Sequence, residues 1–264
     1  MEILVCVKQV PDDEVKVSVD KASGALNISE ITPVVNAFDA YALEMAVRLK
    51  EEAGGNITVV SIGGEKSLGA IRTCLSVGAD RGFLVRAEDV SGIGTLPTAK
   101  ILKAAVSKLE AASGLRFDII FCGRESTDMS CGAVAAQLAE LMGLGMVFDA
   151  VHAAPYGNCL SVKQETEDGY NLLKVETPCV VAVAKPSYDP RYPTMKSKIA
   201  ARKAEIPVFS VEETGVTPKE IENPVKTLSV YPPEQREAGI KIQEKDAAEA
   251  AKKAAGLMRE AGVL

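Results

Sequence analysis

The stretch Gly123-Arg124-Glu125-Ser126-Thr127-Asp128-Met129-Ser130-Cys131-Gly132 gathers the groups that hold an anion: a tight-turn glycine, a guanidinium and several hydroxyls. It leads into a helix expected from about 130 to 142, whose unpaired N–H groups and dipole favour a phosphate. Arg124 adds charge-assisted bonds. A plainer reading stands beside this one. Ser, Thr and Asp before a helix are ordinary N-caps, and Glu125 and Asp128 repel a phosphate unless held aside. Three further segments are expected at the same edge of a parallel sheet, where such sheets bind ligands. They are Cys6-Val7-Lys8, Asn36-Ala37-Phe38-Asp39 and Ile62-Gly63-Gly64. Asn36 either caps the helix that follows it or turns its amide toward the edge of an adenine.

Other chemistries find little support. Gly92-x-Gly94 runs on to Pro97, so there is no G-x-G-x-x-G, and neither a Walker A sequence nor a G-x-S-x-G elbow occurs. The sole histidine, His152, reads as a structural residue at a strand end. Six cysteines stand at 6, 74, 122, 131, 159 and 179 without a CxxC pair, and Cys6, Cys122 and Cys179 fall in β-like runs where a thiol acts as a small hydrophobe. Zinc and a disulfide framework are therefore poor readings. The chain also lacks a nucleophile–base pair, which argues against an enzyme acting by itself. A different kind of segment is Asp189-Pro190-Arg191-Tyr192-Pro193-Thr194-Met195-Lys196, where two prolines hold an aromatic and a flexible Met in a basic loop. Arg, Tyr and Met are common interface anchors; the alternative is a solvated lead into a helix over 194–204.

The elements that must position these residues alternate. Strands are expected at 2–10, 57–62, 82–86 and 117–122, and helices at about 37–52, 66–77, 95–112 and 130–142. That order implies an α/β fold, a Rossmann-like, mostly parallel sheet with helices on both faces. A hairpin is expected over 15–28 about Lys21-Ala22-Ser23-Gly24, and a second joins 158–166 to 170–176 through Glu167-Asp168-Gly169. One more buried strand follows at 179–184. Residues 205–240 read as an extended arm and 245–260 as an Ala-rich helix. The division is thus 1–204 for the sheet domain with its inserted hairpin and 205–264 for arm and helix. The arm has little core of its own and must pack back on the domain or onto another chain.

The chain has 264 residues, enough for one or two domains at about 150 each. Apolar residues make up 47% and charged residues 25%, a globular mixture, and the net charge is −6. An acidic chain is a poor nucleic-acid binder. No apolar run approaches the roughly 18 residues of a membrane span, so no membrane insertion is expected and the location is expected to be cytoplasmic.

Taken together, Ile3–Asp12 (ILVCVKQVPD), Asn36–Leu49 (NAFDAYALEMAVRL), Leu75–Gly82 (LSVGADRG), the Gly123–Gly132 loop, Thr177–Ala184 (TPCVVAVA) and Arg191–Lys203 (RYPTMKSKIAARK) resemble the β subunit of electron-transfer flavoproteins over essentially the whole chain. The resemblance implies a larger α subunit carrying a mobile FAD, embraced by the C-terminal arm. It implies an adenine nucleotide held by Cys6, Val7, Asn36, Ala37, Phe38, Asp39, Ile62 and the loop Gly123, Arg124, Glu125, Ser126, Thr127, Asp128, Met129, Ser130, Cys131, Gly132, Ala133 and Val134. It assigns Arg191, Tyr192, Pro193, Thr194, Met195 and Lys196, with Met195 at the tip, to docking an acyl-CoA dehydrogenase or related flavin partner. Ordinary members hold AMP in the β pocket. Bifurcating members hold a second FAD that takes hydride from NADH and divides the electrons between ferredoxin or flavodoxin and the α-subunit FAD. Here the loop departs from the usual bifurcating pattern: Glu125 stands for Gln, Ser130 for Asp, Ala133 for Gln, Ala135 for Gly, and Ala37 for Pro. The opening motif, the Cys122-Gly123-Arg124 start and the small residues at 129–135 favour FAD. A stand-alone adenine-nucleotide-binding regulator is the alternative from another class.

Overall fold

The computed structural model describes residues 1–264 apart from 13, 16, 21–25, 29–30, 88–91, 224 and 232–237. In chain order the strands and helices are β1 (Glu2–Val7), β2 (Gln9–Pro11), β3 (Ser18–Val19), β4 (Leu26–Asn27), β5 (Pro33–Val35), α1 (Ala37–Ala53), β6 (Asn56–Gly63), α2 (Leu68–Ser76), β7 (Arg81–Arg86) and α3 (Thr95–Ser113). There follow β8 (Ile119–Gly123), α4 (Val134–Met142), β9 (Gly145–Tyr156), β10 (Cys159–Thr166), β11 (Gly169–Glu176), β12 (Cys179–Val183), α5 (Met195–Lys203), β13 (Val208–Ser210) and α6 (Ala247–Glu260).

Nine strands form one sheet in the order β11-β10-β9-β12-β8-β1-β6-β7-β13. From β9 to β13 all neighbours run parallel, and the β9-β10-β11 meander adds antiparallel strands at one edge. The central strands are continuous apolar runs because both their faces are covered. In β1, Ile3, Val5 and Val7 enter the cluster that holds Leu43, Met45 and Leu49 of α1, while Leu4 and Cys6 enter the one that holds Ile101 of α3 and Leu138 of α4. The two-residue period of a strand places these side chains on opposite faces. The chain passes from β1 through α1 to β6 on one side, and later through α3 to β8 on the other. β1 and β8 therefore flank the point where strand order reverses, where open α/β sheets present a crevice.

α1 ends at Gly54, whose φ of +73° suits a residue without Cβ and whose N–H bonds Lys50 O at 2.8 Å.

Several expectations are corrected. The helix expected near 130 starts at Val134, because Ser130 (φ +48°) and Gly132 (φ +62°) take left-handed conformations that no helix continues through. Residues 145–156 form a long strand that the sequence did not announce, and His152 lies inside it, exposed, rather than at its end. The first part of the expected arm joins the sheet: β13 pairs β7 in parallel, and Phe209 and Val211 bury against the α3 side. Short 3-10 turns at Glu212–Thr214 and Pro218–Ile221 follow, their carbonyls at Glu213 and Glu220 bonded by Lys108 and Lys100 of α3. Of the first hairpin, β3 and β4 pair antiparallel, while the turn Lys21–Gly24 lies outside the described residues.

Contacts divide the chain into Met1–Ser229 and Val230–Leu264. The second unit holds α6, capped by Asp246 Oδ1 accepting from Ala248 N–H at 3.3 Å. None of its helical residues is buried, and Tyr231, Ile240, Met258, Val263 and Leu264 stand exposed.

Candidate functional site

The crevice is assembled by hydrogen bonds between residues far apart in sequence. Asp39, in the first turn of α1, accepts from Lys8 N–H at 2.7 Å and from Gly123 N–H at 3.0 Å. One carboxyl thus ties the ends of β1 and β8 to the start of α1. Burial pushes this group up to about 7, against the pull of the two backbone donors. Gly123 is needed by close approach. A Cβ there would stand 2.3 Å from Asp39 Oδ1, 2.8 Å from Phe38 Cβ and 2.9 Å from Asp39 N.

Asn36 is buried and makes no capping bond to α1. Its Nδ2 donates to Glu125 O at 2.8 Å and its Oδ1 accepts from Thr127 N–H at 3.0 Å. It therefore does not cap the helix, and it shapes the turn at 125–127. Lys8 resolves the charge problem in the loop. Its Nζ lies 2.7 Å from both oxygens of Asp128 and 3.4 Å from Ser126 Oγ, drawing the carboxylate to one side.

Beyond the left-handed Ser130 and Gly132 the chain enters α4, and no side chain caps its first turn. That leaves helix N–H donors of the kind that bind phosphate. Arg124 Nη1 stands 3.5 Å from Asp149 Oδ1, an ion pair too long for a hydrogen bond. Asp149 (φ +52°) sits where β9 slips register against β12, between the pairs Val147–Val181 and Ala150–Val183. Its Oδ1, like Gln137 Oε1 in α4, is buried without a hydrogen-bond partner.

The structure thus brings Asn36 to Asp39, the end of β1 and the loop from Gly123 to Val134 into one assembly. Cys6 and Val7 are buried at the end of β1. The neighbouring Cys122 thiol, and burial, push the Cys6 thiol well up, so it is no nucleophile. Ile62 ends β6 one strand away, packed toward the α3 side. Asp128, Met129, Ser130 and Cys131 are exposed at the rim. Asp149 was missed as a site residue, and Lys8, read only as part of the Cys6-Val7-Lys8 strand end, takes its role from a partner 120 residues away.

The basic segment is split in two. Tyr192 is 93% and Met195 75% exposed, whereas Arg191 turns back onto α1, 2.8 Å from Glu44 and 2.6 Å from Glu51. Thr194 caps α5 and exchanges bonds with Ser197 in a capping box. A cavity of about 1070 Å³ lies elsewhere, between the C-terminal half of α1 and the β9–β11 meander. Its wall includes Gly169 of the β10–β11 turn but no helix N-terminus of the kind that favours a phosphate.

Fold and site together define a Rossmann-like α/β protein with an anion-suited loop–helix junction at its topological switch point. The sequence profile of the Electron transfer flavoprotein domain matches residues 26–214. The chain is 32% identical over 251 residues, 93% of each chain, to an electron transfer flavoprotein subunit beta of Megasphaera elsdenii. It is 32% identical over 254 residues (93% of this chain, 94% of the other) to the acryloyl-CoA reductase electron transfer subunit gamma of Anaerotignum propionicum. A Bradyrhizobium diazoefficiens electron transfer flavoprotein subunit beta is 34% identical over the full length of both chains. The chain belongs to the electron transfer flavoprotein family, among its β subunits. Among the described residues no helix is long and apolar enough to cross a membrane.

Proposed function

We propose that this chain is the small subunit of a heterodimeric electron-transfer flavoprotein working in the cytoplasm, with an adenine-containing cofactor in the crevice between the ends of β1 and β8. The observation that carries the reading is the uncapped start of α4 beside Arg124, at the switch point of a family member's sheet. In this account the first N–H groups of α4 and the Arg124 guanidinium hold the phosphates. Lys8 keeps the Asp128 carboxylate away from them, and Asp149 Oδ1 is an acceptor left for a ligand hydroxyl. The small side chains Ser130, Cys131 and Ala133 at the turn suit a diphosphate, which favours FAD over AMP. A bound isoalloxazine supplies hydride acceptance from NADH and delivery of electrons to ferredoxin or flavodoxin and to the FAD of the α subunit, and AMP supplies neither. The exposed Tyr192 and Met195 dock a flavin-dependent acyl-CoA or related dehydrogenase. The acryloyl-CoA reductase relative, by its name, serves such a system. The unit Val230–Leu264, whose Tyr231, Ile240 and Met258 are exposed, embraces the α subunit. Co-expression with the α chain and size-exclusion chromatography test this: a stable flavin-bearing heterodimer is expected, and a flavin-free monomer would refute it.

The loop electrostatics give a second expectation. Lys8→Ala leaves Asp128 unpaired beside the phosphates. Unit charges a few ångströms apart near a protein surface interact by about 1–4 kcal/mol. Affinity for FAD should therefore fall roughly tenfold, and Lys8→Ala with Asp128→Asn should recover most of it. Fluorescence titration of the heterodimer reads both, and an unchanged Kd in Lys8→Ala would remove Lys8 from this role.

A further inference from the structure

Glu44 lies in the middle of α1 and is 3% exposed, on a helix whose other buried positions there are apolar. A buried carboxylate costs several kcal/mol unless its oxygens are fully satisfied. Here every partner comes from the segment that leads to the exposed Tyr192–Met195 tip, or from Arg48 beside it. Arg191 donates to Glu44 from Nε (2.8 Å), Nη2 (3.2 Å) and its backbone N–H (3.1 Å). Arg48 Nε donates at 2.7 Å, and its guanidinium stacks 3.9 Å above the ring of Tyr188. Glu51, two turns along, takes the other edge of the same Arg191 guanidinium at 2.6 and 3.1 Å. Burial pushes Glu44 up, but the Arg191 and Arg48 donors outweigh it and hold the carboxyl below its ordinary value. The far end of the segment is held as well: Arg72 of α2 donates to the carbonyls of Ala201, Arg202 and Ala204 at the end of α5. Arg191, read from sequence as a docking side chain, spends its donors inside its own domain.

We propose that Glu44, with Glu51 and Arg72, is a positioning residue for the docking segment. It clamps Arg191 to α1 and so presents Tyr192 and Met195 in one pose to the dehydrogenase. A planar guanidinium gripped on two edges by two carboxylates loses its rotational freedom, which a single surface ion pair does not achieve. The docking part of this proposal rests on the reading of the segment given above, and the clamp itself does not.

Hydrogen exchange on the full-length chain tests the clamp without any partner. In Glu44→Gln the hydrogen-bonded amides of Thr194, Ser197 and Lys198 should exchange about ten times faster, while those of β8 keep their protection. Glu51→Gln, at a position too exposed to threaten folding, should accelerate the same amides roughly threefold. Glu52→Gln, one position on, should change nothing. In the heterodimer, Glu44→Gln should raise the KM for the dehydrogenase about tenfold at unchanged kcat and flavin content, since binding pose and not chemistry is altered. Unchanged exchange at these amides in both Glu44→Gln and Glu51→Gln would overturn the clamp. Faster exchange with an unchanged KM would instead overturn the docking reading of the segment.

Discussion

Gly123→Ala is expected to destabilise the protein strongly and to open the crevice. The new Cβ would meet Asp39 Oδ1, Phe38 Cβ and Asp39 N at 2.3, 2.8 and 2.9 Å. A flexible side chain can ordinarily swing aside, but this carboxyl oxygen is the acceptor for the Gly123 N–H, and the Asp39 nitrogen belongs to the first turn of α1. Relief therefore requires α1 to back away from β8, which breaks the Asp39 bond and opens the crevice. Overpacking costs about 1–3 kcal/mol and a lost buried bond to a carboxyl about 1–3 more. A loss of roughly 3–5 kcal/mol follows, or about 10 °C in Tm for a chain of this size. Bound nucleotide should be lost along with it. Gly256→Ala in α6 adds the same methyl into open space and is the matched control. Equal melting temperatures for the two variants would show that the close approach at Gly123 does not constrain the fold.

Asp39 yields the second large effect, read in the pH dependence of stability. The folded protein keeps this proton up to about pH 7, while the unfolded chain releases it near 3.8. Between those values the folded state binds the extra proton, so the Asp39 contribution to stability is complete below about pH 4. It is then lost progressively as the pH rises through 7. About three pH units correspond to roughly 4 kcal/mol. Glu44 and Glu51, held low by Arg191, work the other way, and their contributions are lost as the pH falls through the carboxylate range. Comparison with Asp39→Asn removes these shared terms. Denaturant unfolding at pH 4.5, 6 and 7.5 should show the wild-type advantage over Asp39→Asn shrinking by several kcal/mol as the pH rises. Parallel profiles would mean that Asp39 is ionised throughout.

What was legible in the sequence was local. Short β-rich runs, closed by Pro11 after β1 and by glycine at β6 and β8, and apolar residues at helical spacing mark β1, β6, β7, β8 and the helices between them, because each signal lies within one element. The Gly123–Gly132 loop announced itself by composition. What stayed hidden depends on contacts across the chain. β9 carries Asp149, His152 and Pro155 and is interrupted by a bulge, so its alternation does not show. Helical periodicity sends a glutamate at position 44 to solvent, and only Arg191, 147 residues away, accounts for its burial. Lys8 and Asp128 are 120 residues apart, so nothing in the loop itself shows how its acidic residue is neutralised. Asn36 looked like a helix cap because the residue type fits. Its amide goes instead to the turn at 125–127, and no local pattern distinguishes the two uses.

Identification of the nucleotides released from the purified heterodimer tests the central claim most directly. Acid extraction and chromatography should return two FAD per heterodimer, one of them lost when Arg124 is replaced by Ala. One FAD with one AMP would keep the crevice as an adenylate site and overturn electron bifurcation. A single FAD with no adenine nucleotide assigned to this chain would contradict the account at its base.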